Sequence, residues 1–277
     1  MTAFVPLISL MLALGAAAPG PTFAALEKGH DARLGVYAID TATGRTVAYH
    51  ADQRFAYAST FKALAAAAVL DRTTDAEMDR VVHYTRADLV DYSPVTELHV
   101  DEGMQLDDIA EAAITVSDNT AGNLLFRALG GPDGLERALR AAGDRTTSVD
   151  RIEPDLNTAV PGDRRDTSTP RALAADLRAY AVDRELCPGD RGRLVGWMRA
   201  NTTGDNTIRA GVPAGWTVAD KTGTAAYGSR NDIAVAWPPS GAPIVLAILT
   251  THDEAAATPD DKLVAEATAL VVRSLRR

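Results

Sequence analysis

Strand patterning at both ends of the chain, with helical patterning between, is the feature that most constrains the fold. Near the N-terminus Arg33-Leu-Gly-Val-Tyr-Ala-Ile-Asp alternates, meets a turn at Thr41-Ala-Thr-Gly-Arg and resumes as Thr46-Val-Ala-Tyr-His, a two-stranded hairpin. After Gly211-Val-Pro-Ala-Gly, the segments 216–221, 231–237 and 243–251 are β-branched and apolar, with turn residues between them. From Thr60 to about Ala200 the pattern is mostly helical. Residues 62–71 are alanine-rich, 106–116 are periodic, 119–129 end at Gly130-Gly131, 134–142 end at Gly143, and Thr169-Pro170 opens a further helix with proline near its first turn. Residues 23–30 and 260–275 read as amphipathic helices, and a polar loop rich in Pro, Gly and Asp runs from about Asp150 to Thr169. The expected fold is therefore α+β, an α/β sandwich. It has an antiparallel sheet of about five strands built from both chain ends and flanked by helices, with an inserted all-α domain and a pocket expected in the cleft between. The expected boundaries are an α/β domain at 22–50 plus 205–277 and an all-α domain at 51–204, including the part of the polar loop at 151–166.

With 277 residues and 46% apolar content the chain can fill a substantial core. Its net charge of −9, without a basic stripe, argues against nucleic acid as a partner. Cys187 is the only cysteine, so no internal disulfide forms. The five histidines are scattered and make no H-x-H or H-E-x-x-H grouping, so no metal site and no cofactor are expected. The apolar run from Phe4 to Ala18, followed by Pro19-Gly20-Pro21, reads as a secretory signal over 1–21, despite the lack of Lys or Arg before it. It is short for a membrane span, so the expectation is an exported, secreted or periplasmic protein with no stable span once the signal is removed.

Chemistry concentrates in a few short motifs. Ser59-Thr60-Phe61-Lys62 places a hydroxyl and an amine one helical turn apart on one face. A serine hydroxyl needs a neighbour to take its proton, and an amine does so only when its surroundings hold it partly neutral or another base relays the proton. Alone, S-x-x-K also describes a capping serine and a solvated lysine. Its company changes that reading. Ser117-Asp118-Asn119 lies at the junction of two helices, Glu153-Pro154-Asp155-Leu156-Asn157 lies in the irregular loop, and Lys221-Thr222-Gly223-Thr224 ends a strand, with Arg230 just beyond the next turn. Only four of the 28 basic residues are lysines, and two of those four, Lys62 and Lys221, fall in these motifs.

The ordered set S-x-x-K, S-D-N, E-x-x-L-N and K-T-G resembles the class A serine β-lactamases, and the resemblance runs from about Leu26 to Arg277. It implies that Ser59 is the nucleophile, with Lys62 its partner; whether Lys62 or Glu153 is the acylation base stays open. It further implies that Ser117 passes a proton to the departing lactam nitrogen near Lys221, and that Glu153 activates the deacylating water, held with the help of Asn157. By the same resemblance Asn119 binds the substrate's amide side chain, and Thr222, Gly223, Thr224 and Arg230 line the site for the substrate carboxylate. The backbone N–H groups of Ser59 and Thr224 would form the oxyanion hole, and Tyr92 would wall the entrance. Arg151 and Asp166, at the two ends of the loop, would close it as an ion pair, and the bond before Pro154 is a candidate cis peptide. The implied protein is a monomer acting on small β-lactams. Two departures stand out: neither Ala58 nor Ala225 is the cysteine of the carbapenem-hydrolysing branch, and Ala225-Ala226 replaces the glycine and acidic residue of many relatives. The competing readings are a D-alanyl-D-alanine carboxypeptidase or transpeptidase, and a penicillin sensor that acylates without turning over; Glu153 and Asn157 separate these from a hydrolase.

Overall fold

The computed structural model describes residues 22–276, so the expected export signal lies outside the described residues. Five strands form the main sheet: β1 Arg33–Asp40, β2 Thr46–Tyr49, β3 Thr217–Ala225, β4 Ser229–Trp237 and β5 Ile244–Thr251. Their order is β2-β1-β5-β4-β3, with every neighbouring pair antiparallel. The two ends of the chain meet along β1 and β5, in register from Arg33 opposite Thr251 to Asp40 opposite Ile244. An α+β fold with one sheet made by both termini is therefore what the chain adopts.

The sheet is covered on both faces, which is why β5 reads as a continuous apolar run rather than an alternating one. Ile244, Leu246 and Ile248 pack with Leu26, Leu263, Val264 and Val271 of the two terminal helices, α1 (Phe23–Gly29) and α8 (Asp261–Leu275). Val245, Ala247 and Leu249 point the other way, into the larger core shared with the central helices. Each fully buried aliphatic side chain there contributes roughly 1.5–3 kcal/mol over leaving it in water.

Helix α2 (Phe61–Arg72) runs through the middle of the helical layer and is buried on every side from Phe61 to Leu70. An all-apolar helix needs neighbours all round. It finds them in α3 (Leu106–Thr115), α4 (Asn119–Leu129), α5 (Pro132–Ala141), α6 (Pro170–Ala181) and α7 (Pro188–Arg199). Its four consecutive alanines, Ala65–Ala68, are each 0% exposed and let these helices approach closely. Among the described residues no helix is long and apolar enough to cross a membrane.

Two local expectations shift. The edge strand continues to Ala225, so Lys221-Thr222-Gly223-Thr224 lies within β3 rather than at its end. Arg230 likewise belongs to β4, directly opposite Thr224. The reason is the tightness of the connection: Tyr227 and Gly228 both take left-handed backbone (φ 56° and 55°), which reverses the chain within three residues and extends the pairing of both strands. The strands Val81–Val82 and Met104–Gln105 interrupt the region read as helical, and Phe55–Ala56 with Thr167–Ser168 forms a further two-residue pair within the span 51–204 expected to be all-α.

Candidate active site

Ser59 sits in a single 3-10 turn, Ala58–Thr60, that runs directly into α2. The turn is entered through Ala58 at φ 50°, a left-handed conformation uncommon for a residue with a side chain and one found at functional sites. Lys62, one turn on, is completely buried, and its ammonium donates to Ser59 Oγ (2.8 Å), Ser117 O (2.9 Å) and Asn119 Oδ1 (2.6 Å). It also lies 3.0 Å from Glu153 Oε1. Ser117, at φ 62°, and Asn119 are brought here by the start of α4, where Asp118 caps the helix by accepting from Ala121 N (2.8 Å). The same buried carboxylate accepts from Val95 N and Thr96 N, which fixes the neighbouring segment against the cap. That segment carries Tyr92, 61% exposed at the rim of the cleft.

The loop carboxylate meets this cluster from a third direction. Glu153 is 1% exposed; Oε1 accepts from Ser59 Oγ at 3.3 Å and Oε2 accepts from Asn157 Nδ2 at 2.5 Å. Its backbone is bracketed by Asn123, which donates Nδ2 to Glu153 O (3.0 Å) and accepts Glu153 N on Oδ1 (2.8 Å). The Glu153–Pro154 bond is cis. Arg151 Nε and Asp166 Oδ2 are 2.5 Å apart, and Asp166 Oδ1 accepts from the N–H groups of Asp150 and Arg151 (2.9 Å each), so the two ends of the loop are tied by an ion pair and by backbone bonds together.

The strand side closes the cleft. Lys221 is completely buried and donates to Ser117 Oγ (3.0 Å) and to Thr222 O (2.8 Å). Arg230 donates to Thr224 Oγ1 (3.1 Å) and to Thr203 O (3.0 Å), and its Nε pairs with Asp261 at the start of α8. At Gly223 a Cβ would come within 2.8 Å of Tyr57 O and 3.0 Å of Ser59 N. The edge strand therefore approaches the Ser59 turn as closely as a residue without a side chain permits. Ser59, Tyr92, Ser117, Asn119, Asn157, Thr222, Gly223, Thr224 and Arg230, together with Thr203, line one cleft of about 380 Å³. Lys62 and Lys221 are buried behind this lining, bonded to Ser59 and Ser117, while Glu153 meets Ser59 from the loop whose ends Arg151 and Asp166 tie together.

Burial sets the electrostatics. Desolvation holds the Lys62 ammonium below the ordinary lysine range, an effect that the Glu153 carboxylate partly offsets. Lys221 is held well below that range by burial first and by the charge of Lys62 second. A lysine–carboxylate–serine triangle with a depressed amine can move a proton off a hydroxyl, and a second amine beside a second serine can deliver one.

Four residues that position this site escaped the sequence reading. A Cβ at Gly122 would lie 2.7 Å from Lys62 Cε, so this glycine makes the channel for the lysine stem. Asn123 holds the backbone of Glu153. Both lie one turn beyond Asn119 on α4, and helical spacing from that motif would have found them. Thr203, whose Oγ1 is 2.5 Å from Thr222 Oγ1, and Asn231, which bonds the Ser59 turn, reach the site only through the tertiary fold.

Solved structures share this architecture. The chain superposes on a class A β-lactamase from Clostridium kluyveri with a TM-score of 0.91 at 50% identity, over 92% of this chain and 97% of that one. It superposes on a halotolerant bacterial β-lactamase with a TM-score of 0.92 at 52% identity, over 94% and 100% of the two chains. The fold is that of the class A β-lactamases. In sequence the chain is 55% identical over 269 residues to a β-lactamase of Amycolatopsis lactamdurans, covering 93% of this chain and 89% of the relative. The signature of the beta-lactamase enzyme family spans residues 21–275. The chain belongs to the beta-lactamase enzyme family.

Proposed function

We propose that this β-lactamase opens the lactam amide of penicillins and cephalosporins through an ester on Ser59 that Glu153 then helps water to cleave. Ser59 Oγ attacks the lactam carbonyl carbon while its proton passes into the Lys62–Glu153 pair. The carbonyl oxygen takes up negative charge between the N–H groups of Ser59 and Thr224. When the C–N bond breaks, the nitrogen takes the proton of Ser117, which is replenished through Lys221 or Lys62. The substrate carboxylate lies on Thr222, Thr224 and Arg230, beside the charge of Lys221, and the amide side chain lies against Asn119 with Tyr92 at the entrance. In the second half Glu153 accepts a proton from a water held with Asn157, the hydroxide adds to the ester carbonyl, and Ser59 leaves with a proton returned from the same pair.

One observation carries this reading: a buried carboxylate, Glu153, within 3.3 Å of the Ser59 hydroxyl and clamped by Asn157 at 2.5 Å and by Asn123 through its backbone. Asn157 Oδ1 is itself buried and accepts no hydrogen bond from the protein, which suits it to orient a water proton. A peptidase or a sensor has no need of this apparatus. The protein acts as an exported monomer, with the cleft between an α/β domain (22–50 plus 205–277) and an all-α domain (51–204), and its activity gives resistance to β-lactams.

The test combines turnover with intact mass. The protein is expected to hydrolyse benzylpenicillin and nitrocefin continuously. Glu153→Ala is expected to accumulate the Ser59 adduct, with turnover reduced roughly 10²–10⁴-fold. A stoichiometric adduct without turnover in the parent protein would instead establish the peptidase or sensor reading, and undiminished turnover in the variant would remove Glu153 from the mechanism.

A further inference from the structure

Asn231 occupies an unusual place in the sheet. It lies in β4 directly opposite Gly223, the residue preceding Thr224 in the edge strand. Residues paired across two antiparallel strands present their side chains to the same face. Gly223 has none, and on that face its Cα approaches the Ser59 turn. The Asn231 side chain runs along this face and is 0% exposed. Its Nδ2 donates to Ala56 O (2.8 Å) and to Tyr57 O (3.2 Å), the carbonyls of the residues that lead into the turn. Its Oδ1 accepts from Thr250 N (3.2 Å), so the amide orientation is fixed by a donor on one side and two acceptors on the other. Among the described residues no other side chain of the five-stranded sheet hydrogen-bonds residues 56–60. The other ties of this segment go elsewhere: Ala56 pairs with Thr167, Tyr57 N and Tyr57 OH bond Asp166 of the loop, Ser59 Oγ meets Lys62 and Glu153, and Thr60 bonds back to Tyr57 O within the turn.

We infer that Asn231 is a positioning residue of the oxyanion hole: it bolts the Ser59 turn to the sheet and so fixes the separation between the Ser59 and Thr224 N–H groups. The inference rests on the assignment of those two groups as the oxyanion donors. One of them belongs to a turn at a helix start and the other to an edge strand. No covalent connection shorter than about half the chain holds the two together. Oxyanion stabilisation depends on donors held near 2.7–3.1 Å from the developing charge, and a displacement on the order of 1 Å costs up to about a hundredfold in rate. Close packing at Gly223 sets the lower limit of the separation, and the Asn231 bonds set the upper one.

The test measures acylation and transition-state complementarity separately from binding and stability. Asn231→Ala, Asn231→Asp and the parent are compared by stopped-flow acylation with benzylpenicillin, by affinity for a phenylboronic acid that forms a tetrahedral adduct, and by melting temperature. Asn231→Ala is expected to acylate 10–100-fold more slowly and to lose boronate affinity by a similar factor, while the dissociation constant of the non-covalent penicillin complex changes less than threefold. Asn231→Asp supplies a donor only when protonated, so its acylation rate relative to Asn231→Ala is expected to rise as the pH is lowered. Equal losses in acylation and in non-covalent binding, or acylation and boronate affinity within twofold of the parent, would overturn the role. If Asn231→Ala does not fold, the pH dependence of Asn231→Asp against the parent decides alone, and a flat ratio overturns the inference. Failure of the parent protein to form a Ser59 adduct at all would remove the underlying oxyanion assignment instead, and is read from the parent's intact mass.

Discussion

The two halves of the cleft handle buried positive charge in opposite ways. On the helix side, Lys62 lies 3.0 Å from the Glu153 carboxylate, and its three N–H groups find Ser59 Oγ, Ser117 O and Asn119 Oδ1. That half is electrically closed. On the strand side, Lys221 is equally buried, but it bonds only a hydroxyl and a carbonyl, and among the described residues no carboxylate lies within 4 Å of its ammonium. The nearby acids are engaged elsewhere: Asp220 pairs with Arg209 and accepts from Asn201, and Asp232 accepts from Thr207 Oγ1 and Ile208 N. Arg230 does have a carboxylate, Asp261, on its far side. In the mechanism proposed above, the half assigned to proton transfer keeps its counter-charge inside the protein, and the half assigned to the substrate carboxylate leaves part of its positive charge for the ligand to neutralise.

Deleting each lysine tests this contrast most directly. Lys62→Met strands Glu153 as a buried unpaired carboxylate, and the expected cost is about 3–5 kcal/mol of stability along with the loss of acylation. The double variant Lys62→Met/Glu153→Gln is expected to recover much of that stability while remaining inactive. Urea denaturation of the parent, the two single variants and the double variant closes the cycle; additive effects would show that the pair is not coupled. Lys221→Met, by contrast, removes a cation with no carboxylate beside it, and its stability is expected to equal or exceed that of the parent. A loss comparable to that of Lys62→Met would erase the distinction between the two halves.

The next effect is on substrate. Loss of a charged hydrogen-bond donor costs about 1.5–3 kcal/mol, so Lys221→Met is expected to lower kcat/KM for penicillins by roughly 10–150-fold. An analogue with its carboxylate esterified is expected to be less sensitive to the substitution, keeping only the part of the loss that comes from the Lys221 bond to Ser117. Because burial and the charge of Lys62 hold Lys221 well below the ordinary lysine range, the parent is expected to lose affinity for carboxylate substrates at a lower pH than a free lysine would titrate. The sign for stability is opposite: a lysine that releases its proton earlier when folded makes stability rise with pH through that window. Pre-steady-state binding across pH 7–10 checks the first statement, and an affinity flat to the ordinary lysine pKa would contradict it.

How much of this was legible beforehand follows the range of the contacts. Ser59 and Lys62 are joined by one helical turn, and Ser117 and Asn119 by the entry into one helix, so their juxtaposition is written in local spacing. The sheet from both termini was legible because the segments near both chain ends are short, β-branched and apolar, with turn residues between them. Asn231 and Thr203 were not. Each is a short polar residue with an ordinary local reading, and its partner lies 174 residues away for Asn231 bonding Tyr57 and 19 away for Thr203 against Thr222. The length of β3 was misread for a related reason: a glycine and two threonines look like a strand end unless the opposing strand is already in place. Local chemistry announces the reacting groups, whereas the groups that hold them apart at fixed distances are recorded only in the tertiary register.

A third buried site extends the comparison from cations to acids, at a distance from catalysis. Asp176 of α6 is 2% exposed, and its Oδ2 has no hydrogen-bond donor from the protein. Its neighbour Asp144 accepts from the N–H groups of Thr146 and Thr147 and keeps acceptor capacity for one further donor. Burial, and then the charge and hydrogen bond of Asp144, push the Asp176 carboxyl well above the usual range, with Arg140 opposing only weakly. Glu153 has a cation and an amide to support its charge; Asp176 has neither, and a neutral carboxyl that donates its proton to Asp144 resolves the conflict. The folded protein then keeps a proton that the unfolded chain releases above about pH 3.9. Stability attributable to Asp176 therefore falls as the pH rises from there to the folded value, at no more than about 1.4 kcal/mol per pH unit. Asp176→Asn keeps a neutral donor at every pH, so it is expected to leave turnover unchanged, to flatten this slope and to melt higher than the parent at pH 7–8. Parallel melting curves for parent and variant from pH 4 to 8 would mean that Asp176 is ionised in the fold and has found a counter-charge after all, making it a second instance of the closed arrangement seen at Lys62.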